Sequence, residues 1–420
     1  MDASERWTRA YQKIRTGLLL SNSLDTLRDM TNNDHMQPDQ VTKVKELGQG
    51  AFATVELCKY KPPGGGGEVL VAVKRLLPSI LKNKEELLAF VEESKLLRKL
   101  RHRYIVSYIG VGGSGEMSLR NADSARKVLN STFLVQEYVE GGNLRKQVLE
   151  QMGHAHHARK HYSQEQALEW IIQIAKGLRY LHTSKPKIAW RDAKLENILM
   201  RKVDGGKKLE ACLADFGLSA VLPGPKEHVN SSLLRKSMKA KQPTGDADLD
   251  GLSSAVDDIL TGHQLEVEQS GPSVSQEGVF DLTGRTGSYF YMAPEVLHNE
   301  AYNEKADIFS FGVLMYELLC GCITSQLVVG PTGNMRAAEV YAAKVAGGYR
   351  RPLPSFIPEP LRELITECWA QNPKDRPPIT EVVDRLTAFQ EAPQQLSSGA
   401  GKSHKGEESA KKGCCGCSVM

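Results

Sequence analysis

The sequence has no long apolar run. No stretch of the chain approaches the about 18 consecutive apolar residues that a membrane-spanning helix needs. The N-terminal region carries Asp2 and Glu5, and its longest apolar run is Leu18 to Leu20, so a secretory signal peptide is not expected. We therefore expect the body of the protein to lie in the reducing cytosol.

The sequence also has little net charge. Its 54 Lys and Arg residues nearly balance its 50 Asp and Glu residues, and the formal net charge is +4. A nucleic-acid-binding surface needs a clear excess of basic residues. Nucleic acid is therefore not expected among the partners of this chain.

Cysteines are few, and their spacing is typical neither of a disulfide framework nor of a zinc site. Five of the eight are scattered through the body and three are crowded near the end of the chain: Cys58, Cys212, Cys320, Cys322 and Cys368, then Cys414, Cys415 and Cys417. In a reducing compartment the five cysteines of the body are expected to remain thiols.

What is present is the composition of an ordinary globular protein, with 40% hydrophobic and 25% charged residues in 420 positions. Strand-like alternation and glycine-containing turns begin near residue 41. They predict strands at 41–47, 54–60, 69–74 and 133–139 and a helix at 84–100. This order is typical of a first lobe built from an antiparallel meander and one helix.

After Gly141 the sequence becomes mainly helical. Ser163 followed by Gln166 is a capping box, which opens a helix running to His182. Just before it, residues 152–161 include four histidines, and we interpret this segment as a solvated loop rather than a metal site. The sequence therefore predicts a larger, α-helical second lobe.

Three segments depart from this globular pattern. Residues 1–40 contain apolar positions at helical spacing with basic residues between them, which predicts a short amphipathic helix packed on the rest of the chain. The segment from about 222 to 283 is expected to be mostly disordered, with a short acidic helix ending before Gly262. The tail from Ala392 onward is expected to be a flexible linker.

A glycine-containing segment joins the first two predicted strands. Its nine residues are Leu47, Gly48, Gln49, Gly50, Ala51, Phe52, Ala53, Thr54 and Val55. Bare glycine backbone can approach phosphate oxygens and donate N–H groups to them. Alone this pattern is weak, because a tight hairpin turn explains it equally well, and Ala53 stands where the usual pattern has a third glycine.

A lysine follows at a suitable distance. Nineteen residues beyond Val55, the apolar strand 71–73 ends in Lys74, a cation that can reach the α and β phosphates of a nucleotide. Such a lysine needs an anion to hold it, and Glu93 on the next predicted helix is the natural partner.

Two polar clusters occur farther along the chain. The first is Trp190 to Asn197, which contains Asp192, and the second is Asp215 to Gly217, behind an apolar strand. Phosphoryl transfer needs a carboxylate at the attacking hydroxyl and oxygen ligands for Mg²⁺. Asp192 suits the first task, and Asn197 and Asp215 suit the second.

In this order, and together with Ala293, Pro294 and Glu295 and the later Asp307 and Arg376, these motifs resemble those of eukaryotic protein kinases over about residues 43–389. Segments 286–297, 306–321 and 368–377 are most similar to the tyrosine-kinase-like (TKL) group of serine/threonine kinases. The resemblance implies an α+β, bilobal fold, with a small antiparallel β lobe carrying one helix and a larger α-helical lobe. It implies an N-terminal extension at 1–42, a kinase domain at 43–389 and a tail at 390–420, and it pairs Glu295 with Arg376.

The resemblance also implies the cofactors ATP and Mg²⁺ and a set of residue roles. Asp192, Lys74 and Lys194 would be catalytic, and Asn197 and Asp215 would bind the metal. The nucleotide would contact the glycine-containing segment, the Glu137 and Val139 backbone at the hinge between the lobes, and the side chains of Val55, Ala72 and Leu199, with Gln136 guarding the pocket behind. Lys194 and Ser288 match residues that accompany serine/threonine specificity, so protein serine and threonine hydroxyls are the expected substrates.

One departure is that Trp190 replaces the usual histidine, which in the family braces the turn containing Asp215. An indole has an apolar body and one N–H donor, so it can replace both the packing and one hydrogen bond. A pseudokinase or scaffold module, and a protein tyrosine kinase, are the alternative functions. Arg191 resembles the arginine that grips an activation-segment phosphate, which makes Thr283 and Thr286 candidate phosphorylation sites.

The last four residues, Cys417 to Met420, resemble a C-a-a-X prenylation motif of the farnesyl type. Cys414 and Cys415 are available for palmitate, and four lysines lie upstream. One lipid chain binds a bilayer only marginally, so palmitate or positive charge would complete the anchor. The expected location is the cytoplasmic face of a membrane, and otherwise the cytoplasm.

Overall fold

The computed structural model describes residues 35–49, 53–63, 67–77, 84–113, 131–154, 160–222, 289–298, 300, 302–330 and 335–392. These residues divide into two compact units. The first unit contains the described residues up to Arg101 and from Val106 to Tyr138; the second contains His102–Ile105 and the described residues from Val139 onward. The helices predicted near the N-terminus and within 222–283 lie outside the described residues.

The first unit is built on a six-stranded sheet with the order β1-β5-β6-β4-β3-β2. Its strands are β1 (His35–Met36), β2 (Val41–Gln49), β3 (Ala53–Tyr60), β4 (Val69–Leu76), β5 (Tyr108–Gly112) and β6 (Phe133–Glu137), and its helix is α1 (Lys84–Lys99). All neighbouring pairs are antiparallel except β1 with β5. The predicted meander and helix are therefore confirmed.

Side chains of β4 alternate between a buried face and a less buried face of the sheet. Val71 and Val73 are fully buried in a core that also contains Phe133 and Val135 of β6. Successive side chains of a strand point to opposite faces, so Ala72 and Lys74 point away from this core. The apolar pattern of one strand thus determines the side of the sheet on which Lys74 lies.

Strand β1 was not predicted from the sequence. It has two residues, runs parallel to β5, and places Met36 in the same core, where 5% of its surface is exposed. Gly112 on β5 is required at this contact, because a Cβ there would lie 2.2 Å from the Phe133 ring and 2.6 Å from the Met36 carbonyl oxygen. A chain segment before the predicted domain boundary therefore belongs to the first unit's sheet.

The second unit is mainly helical. Its helices are α2 (Leu144–Gly153), α3 (Gln164–Thr183), α4 (Pro294–Leu297), α5 (Lys305–Cys320), α6 (Thr324–Val329), α7 (Met335–Ala346), α8 (Glu359–Cys368) and α9 (Ile379–Glu391). The Ser163 hydroxyl accepts from the Gln166 N–H at the start of α3, and the Gln166 side chain accepts from the Ser163 N–H, which confirms the predicted capping box.

Short strands of the second unit carry its polar loops. Strands β7 (Ile188–Ala189) and β10 (Ala220–Val221) form one antiparallel pair, and β8 (Ile198–Val203) and β9 (Lys208–Leu213) form another. With a sheet-based unit and a helical unit, the α+β fold class is confirmed.

Membrane-spanning helices, metal-binding clusters and disulfide bonds are considered next for the described residues. No helix in the described part of the chain is both long and apolar enough to cross a membrane. Within the same residues, no group of three or more His, Cys, Asp or Glu side chains is arranged to hold a metal ion. None of the five body cysteines forms a disulfide with another cysteine of the described residues.

Candidate active site

In the first unit, the predicted lysine and glutamate lie in direct contact. Lys74 Nζ, on β4, is 2.7 Å from Glu93 Oε2 and 2.9 Å from Glu93 Oε1, on α1. The carboxylate is nearly fully buried and the lysine side chain is mostly buried. A partly desolvated pair of this kind is geometrically well defined, and it keeps the ammonium group on the face of β4 opposite the core.

The described parts of the glycine-containing segment form the end of a hairpin. Gly48 and Gln49 end β2 and lie opposite Val55 and Thr54 of β3. Residues 50–52 lie outside the described residues. A Cβ at Gly48 would meet no heavy atom of the described residues within 4 Å, so packing does not require glycine there, and the residue is exposed.

The predicted adenine-contacting side chains of this unit share one face of the sheet. Val55 lies directly opposite Lys74, and Gln136 lies opposite Ala72, which is on the same face as Lys74. Gln136 Nε2 is buried and has no hydrogen-bond partner among the described residues. The Glu137 N–H donates to the Ser107 carbonyl at 3.0 Å.

In the second unit, Asp192 is held on one side only. Its Oδ2 accepts from Lys194 Nζ at 2.7 Å and from Asn197 Nδ2 at 2.6 Å. Its Oδ1 is buried and has no hydrogen-bond partner among the described residues. The two hydrogen bonds to Oδ2 therefore fix the orientation of the whole carboxylate, and with it the position of Oδ1.

A buried aspartate on α5 fixes the backbone leading to Asp192. Asp307 Oδ2 accepts from the Trp190 N–H at 2.7 Å, and Asp307 Oδ1 accepts from the Arg191 N–H at 2.6 Å. His182 Nε2 lies 2.8 Å from Asp307 Oδ2. Arg191 has a positive φ of 71°, which this pair of backbone hydrogen bonds helps to maintain. The sequence identified Asp307 only as a family motif and missed His182, whose position at the end of a helix carries no special signal.

The turn after β9 brings the two predicted metal ligands together. The Ala214 N–H donates to the Asn197 carbonyl at 2.8 Å. The backbone of the next residue, Asp215, therefore lies near the backbone of Asn197. Asp215 has a positive φ of 54°, and the Gly217 N–H donates to its Oδ1 at 3.4 Å. The next residue, Phe216, is buried.

Asn197 and Asp215 fit a magnesium site in which the protein supplies some of the metal ligands and substrate phosphates supply others. Asn197 turns its amide nitrogen toward Asp192, so its amide oxygen is the group suited to a metal. One amide oxygen and one carboxylate are hard ligands, but too few for a complete protein cage. Mg²⁺ is commonly bound by one or two carboxylates together with substrate phosphates and water.

A small, partly open cavity lies beside Asp192. Its other lining residues flank Asp192 in sequence, or come from the segment before α4, from α4 itself, from the loop after α4, and from α5: Arg191, Ala193, Tyr291, Met292, Ala293, Val296, Tyr302, Ala306, Asp307 and Ser310. The Tyr291 hydroxyl donates to Glu317 Oε2 at 2.6 Å, and Glu317 Oε1 accepts from the Thr324 N–H at 2.7 Å. Burial raises the pKa of Glu317 to about 7.

Glu295 and Arg376 form a buried pair apart from this cavity. Arg376 Nη1 and Nη2 donate to the two Glu295 carboxylate oxygens at 2.6 and 2.8 Å. The arginine side chain is 0% exposed, and its guanidinium lies over the Phe309 ring. The pair joins two chain segments and therefore has a structural role, as the family resemblance implied.

The remaining predicted residues are distributed as follows. Leu199 lies on β8 and forms an isolated bridge with Asn143, and Val139 is buried at the start of the second unit. The candidate phosphorylation sites Thr283 and Thr286, and the candidate lipidation sites Cys414, Cys415 and Cys417, lie outside the described residues. Their roles stay predictions.

A family model agrees with this arrangement. The model described as "Protein tyrosine and serine/threonine kinase" matches residues 41–241 and 274–386. Because the match covers more than half of the chain, the chain belongs to the family of protein tyrosine and serine/threonine kinases.

Curated relatives include kinases of both substrate types. The serine/threonine-protein kinase VIK of Arabidopsis thaliana is 29% identical over 346 residues, which are 82% of this chain and 59% of that protein. Mitogen-activated protein kinase kinase kinase 7 of Mus musculus is 25% identical over 87% of this chain and 47% of that protein. Tyrosine-protein kinase JAK3 of Rattus norvegicus is 29% identical over 82% of this chain and 25% of that protein. The chain therefore spans about half the length of the first two relatives and less of the third.

Proposed function

We propose that this chain is an ATP-dependent protein kinase that phosphorylates serine and threonine hydroxyls of other proteins. The observation that carries the proposal is the asymmetric Asp192 carboxylate. Lys194 and Asn197 occupy Oδ2, while Oδ1 is buried and has no hydrogen-bond partner among the described residues. Asp192 also lines a cavity. This is the arrangement that a base needs when it must receive a hydroxyl in a single orientation.

In this mechanism Asp192 Oδ1 accepts the hydrogen bond of the attacking hydroxyl and takes its proton as the hydroxyl oxygen bonds to the γ-phosphorus of ATP. The bond between that phosphorus and the β–γ bridging oxygen breaks in the same displacement, and ADP is the leaving group. Lys194 Nζ, 2.7 Å from Oδ2, donates a hydrogen bond that fixes the orientation of the carboxylate. Asn197 Nδ2 also donates to the Asp192 carbonyl, at 3.0 Å, and so holds the side chain and the backbone in one geometry. Positioning of this kind supplies most of the protein's contribution to phosphoryl transfer.

The phosphate-binding residues would come from the first unit. Lys74 is a cation whose Nζ is fixed by Glu93, and it would bind the α and β phosphates of ATP. The backbone at the exposed Gly48 would donate N–H groups to the phosphate oxygens. Asn197 and Asp215 would hold Mg²⁺, which neutralises the developing charge on the phosphate oxygens when it is bound.

Serine and threonine are proposed as acceptors because Lys194 contacts Asp192. The lysine of this 2.7 Å contact lies two residues beyond the aspartate, where the family resemblance associates lysine with serine/threonine kinases. The name of VIK agrees with this substrate class, the name of JAK3 does not, and the name of mitogen-activated protein kinase kinase kinase 7 states no acceptor residue. The acceptor residue must therefore be tested directly.

The test is phosphate transfer by the purified chain with labelled ATP and Mg²⁺, followed by identification of the labelled amino acids. We expect phosphoserine and phosphothreonine, and we expect Asp192→Asn to lower the rate by about 10² to 10⁴. Asp204→Asn is the matched control, because Asp204 is an exposed aspartate with positive φ in the same unit, and asparagine tolerates that backbone.

Three outcomes would contradict the proposal. Phosphotyrosine as the main product would assign the chain to the alternative substrate class. Complete absence of transfer with intact nucleotide binding would favour the pseudokinase alternative. An Asp192→Asn variant with more than a tenth of the wild-type rate would show that Asp192 is not the base.

We also propose that the chain is anchored at the cytoplasmic face of a membrane through lipid on Cys417, with Cys414 or Cys415 as palmitate acceptors. This proposal rests on the C-terminal sequence motif alone. Cys417→Ser should move the protein from the membrane fraction of cells to the soluble fraction and leave its activity in solution unchanged. Equal partitioning of the variant and the wild type would refute the anchor.

A further inference from the structure

Gln136 is an amide side chain in a row of apolar and aromatic residues that crosses the first unit's sheet. It lies on β6, directly opposite Ala72 of β4 and Tyr108 of β5. Leu57 of β3 lies opposite Ala72 on the other side. Directly opposite residues have their side chains on the same face of a sheet, and residues two apart on a strand share that face. The row therefore lies on the face that carries Lys74.

This face of the sheet is open, whereas the other is closed. Ala72, Lys74 and Gln136 are only partly buried. Val73 and Val135, on the other face, are 0% exposed. Since the family resemblance assigns Ala72 to the nucleotide base, Gln136 is the polar side chain next to that base in the row.

The Gln136 side chain has an unused hydrogen-bond donor. Its Nε2 is buried and has no hydrogen-bond partner among the described residues. A buried donor left unpaired bears the full cost of its removal from water, so a ligand that supplies the acceptor typically gains about 5- to 150-fold in affinity. An apolar side chain would occupy the same place without this cost. The amide is therefore suited to a ligand with an acceptor at this point.

Purine bases differ in the group that they would present to Gln136. Guanine and hypoxanthine carry an oxo group at position 6, which accepts hydrogen bonds, and adenine carries an amino group there, which donates them. The Gln136 amide nitrogen matches the oxo group. Rotation of the amide by half a turn exchanges its nitrogen and oxygen, and the oxygen then matches the amino group of adenine. One glutamine is thus complementary to both kinds of purine.

We propose that Gln136 reads the group at position 6 of a purine nucleotide and that the chain uses GTP as well as ATP as phosphoryl donor. The inference rests on the proposed function in one respect, the binding of nucleotide on the face that carries Lys74. In transfer from GTP, the acceptor hydroxyl oxygen bonds to the γ-phosphorus and the bond from that phosphorus to the β–γ bridging oxygen breaks. GDP is the leaving group, and the hydroxyl proton passes to Asp192.

The experiment measures the binding of nucleoside diphosphates to the full chain by isothermal titration calorimetry in the presence of Mg²⁺. Inosine diphosphate carries the oxo group, and purine riboside diphosphate carries only hydrogen at position 6. The dissociation constant of purine riboside diphosphate divided by that of inosine diphosphate is the oxo preference, and it needs no turnover. In the wild type we expect an oxo preference of about 5- to 150-fold.

Variants at two glutamines separate base reading from packing. Gln136→Met removes both ends of the amide and keeps a side chain of similar length. Its oxo preference should fall to near one while its affinity for purine riboside diphosphate is unchanged, and a merely structural role would alter that affinity. Gln136→Leu serves if Gln136→Met does not fold.

Gln173→Met is the matched control. Gln173 is a buried glutamine of the second unit, and its Oε1 accepts from the Ala211 N–H at 2.7 Å. Its replacement should keep the wild-type oxo preference even if it lowers stability. Phosphate transfer from labelled GTP, measured beside transfer from labelled ATP, then tests the second part of the proposal.

The outcomes distinguish this inference from the function on which it rests. An oxo preference that the Gln136 variants lose and Gln173→Met keeps, together with transfer from GTP, supports the inference. A wild-type preference near one, a preference that persists in the Gln136 variants, or transfer from ATP without transfer from GTP overturns it and leaves the proposed function intact. Nucleotide binding without transfer from either donor contradicts the kinase function and the use of GTP. A wild-type chain that binds none of these nucleotides overturns both proposals.

Discussion

At the scale of single residues, two buried acidic side chains of the second unit, Asp307 and Glu317, each accept several hydrogen bonds. Asp307 accepts from two backbone N–H groups and contacts His182, and Glu317 accepts from the Tyr291 hydroxyl and the Thr324 N–H. A buried carboxylate without donors would be strongly destabilising, so these contacts compensate its removal from water. Each of them also fixes a segment that borders the cavity beside Asp192.

Glu317 is predicted to make stability depend on pH. Burial raises its pKa from 4.5 to about 7, so between these values the folded chain keeps a proton that the unfolded chain has released. The free energy of unfolding therefore falls as pH rises from about 4.5 to 7, by roughly 3 kcal/mol at about 1.4 kcal/mol per pKa unit. Glu317→Gln cannot titrate, and its amide can still accept from Thr324 and donate to Tyr291.

Denaturant unfolding at a series of pH values tests this prediction. The stability of Glu317→Gln relative to the wild type should increase between pH 4.5 and 7 and remain constant above that range. Glu140→Gln, at an exposed glutamate of the same unit, is the control and should show no such trend. A Glu317→Gln difference that is constant with pH would show that the carboxyl titrates normally.

At the scale of secondary-structure elements, the short strand β1 contributes more than its length suggests. Its two residues pair with the edge strand β5, and Met36 packs into the core formed by β3, β4 and β6. The Gly113 N–H donates to the Met36 carbonyl at 3.4 Å and extends the pairing. The strand covers the backbone groups of β5, which would otherwise be an exposed sheet edge.

Met36→Ala should therefore destabilise the first unit. Truncation of a buried methionine to alanine typically costs about 2 to 5 kcal/mol. Val44→Thr is the matched control, because Val44 lies on β2 of the same sheet, is 49% exposed, and keeps β-branching as threonine. Its unfolding midpoint in urea should stay near that of the wild type. If Met36→Ala behaved like Val44→Thr, β1 would be an accessory strand without a role in stability.

At the scale of the whole molecule, long-range ion pairs join segments that are distant in sequence. Glu295 and Arg376 are 81 residues apart and form a bidentate pair in the second unit. Arg376 also donates to the carbonyl oxygens of Ala370 and Lys305, so one guanidinium connects three parts of the chain. Planar, forked recognition of this kind is specific to arginine.

Arg376→Lys should be strongly destabilising although it conserves charge. A lysine cannot make the bidentate contact, and a buried carboxylate with an incomplete partner costs about 3 to 5 kcal/mol. Arg385→Lys is the control, because Arg385 contacts Glu367 and Glu381 at the surface, where ion pairs contribute about 0 to 1 kcal/mol. Thermal unfolding of the two variants should separate them clearly, and equal melting temperatures would contradict the prediction.

Much of the fold and of the candidate site was determined by the sequence alone. Apolar alternation identified β2, β3, β4 and β6, and helical periodicity with the Ser163 cap identified α3, because these patterns are local consequences of backbone geometry. The order of the glycine-containing segment, Lys74, Asp192 and Asp215 indicated the family for a similar reason: each motif is a short stretch whose residue types are needed together.

Only the tertiary structure decided which atoms meet. The two carbonyls that accept from the Trp190 indole N–H, and the buried contact of Glu317 with Tyr291, join segments separated by tens of residues. The unpartnered Asp192 Oδ1 is likewise visible only in the structure. Strand β1 likewise has no periodic signal, because two residues are too few to show alternation, and it is defined by its pairing with β5. Local patterns reflect the 2.0 and 3.6 periods of strands and helices, whereas the packing of distant segments has no counterpart in any short window of sequence.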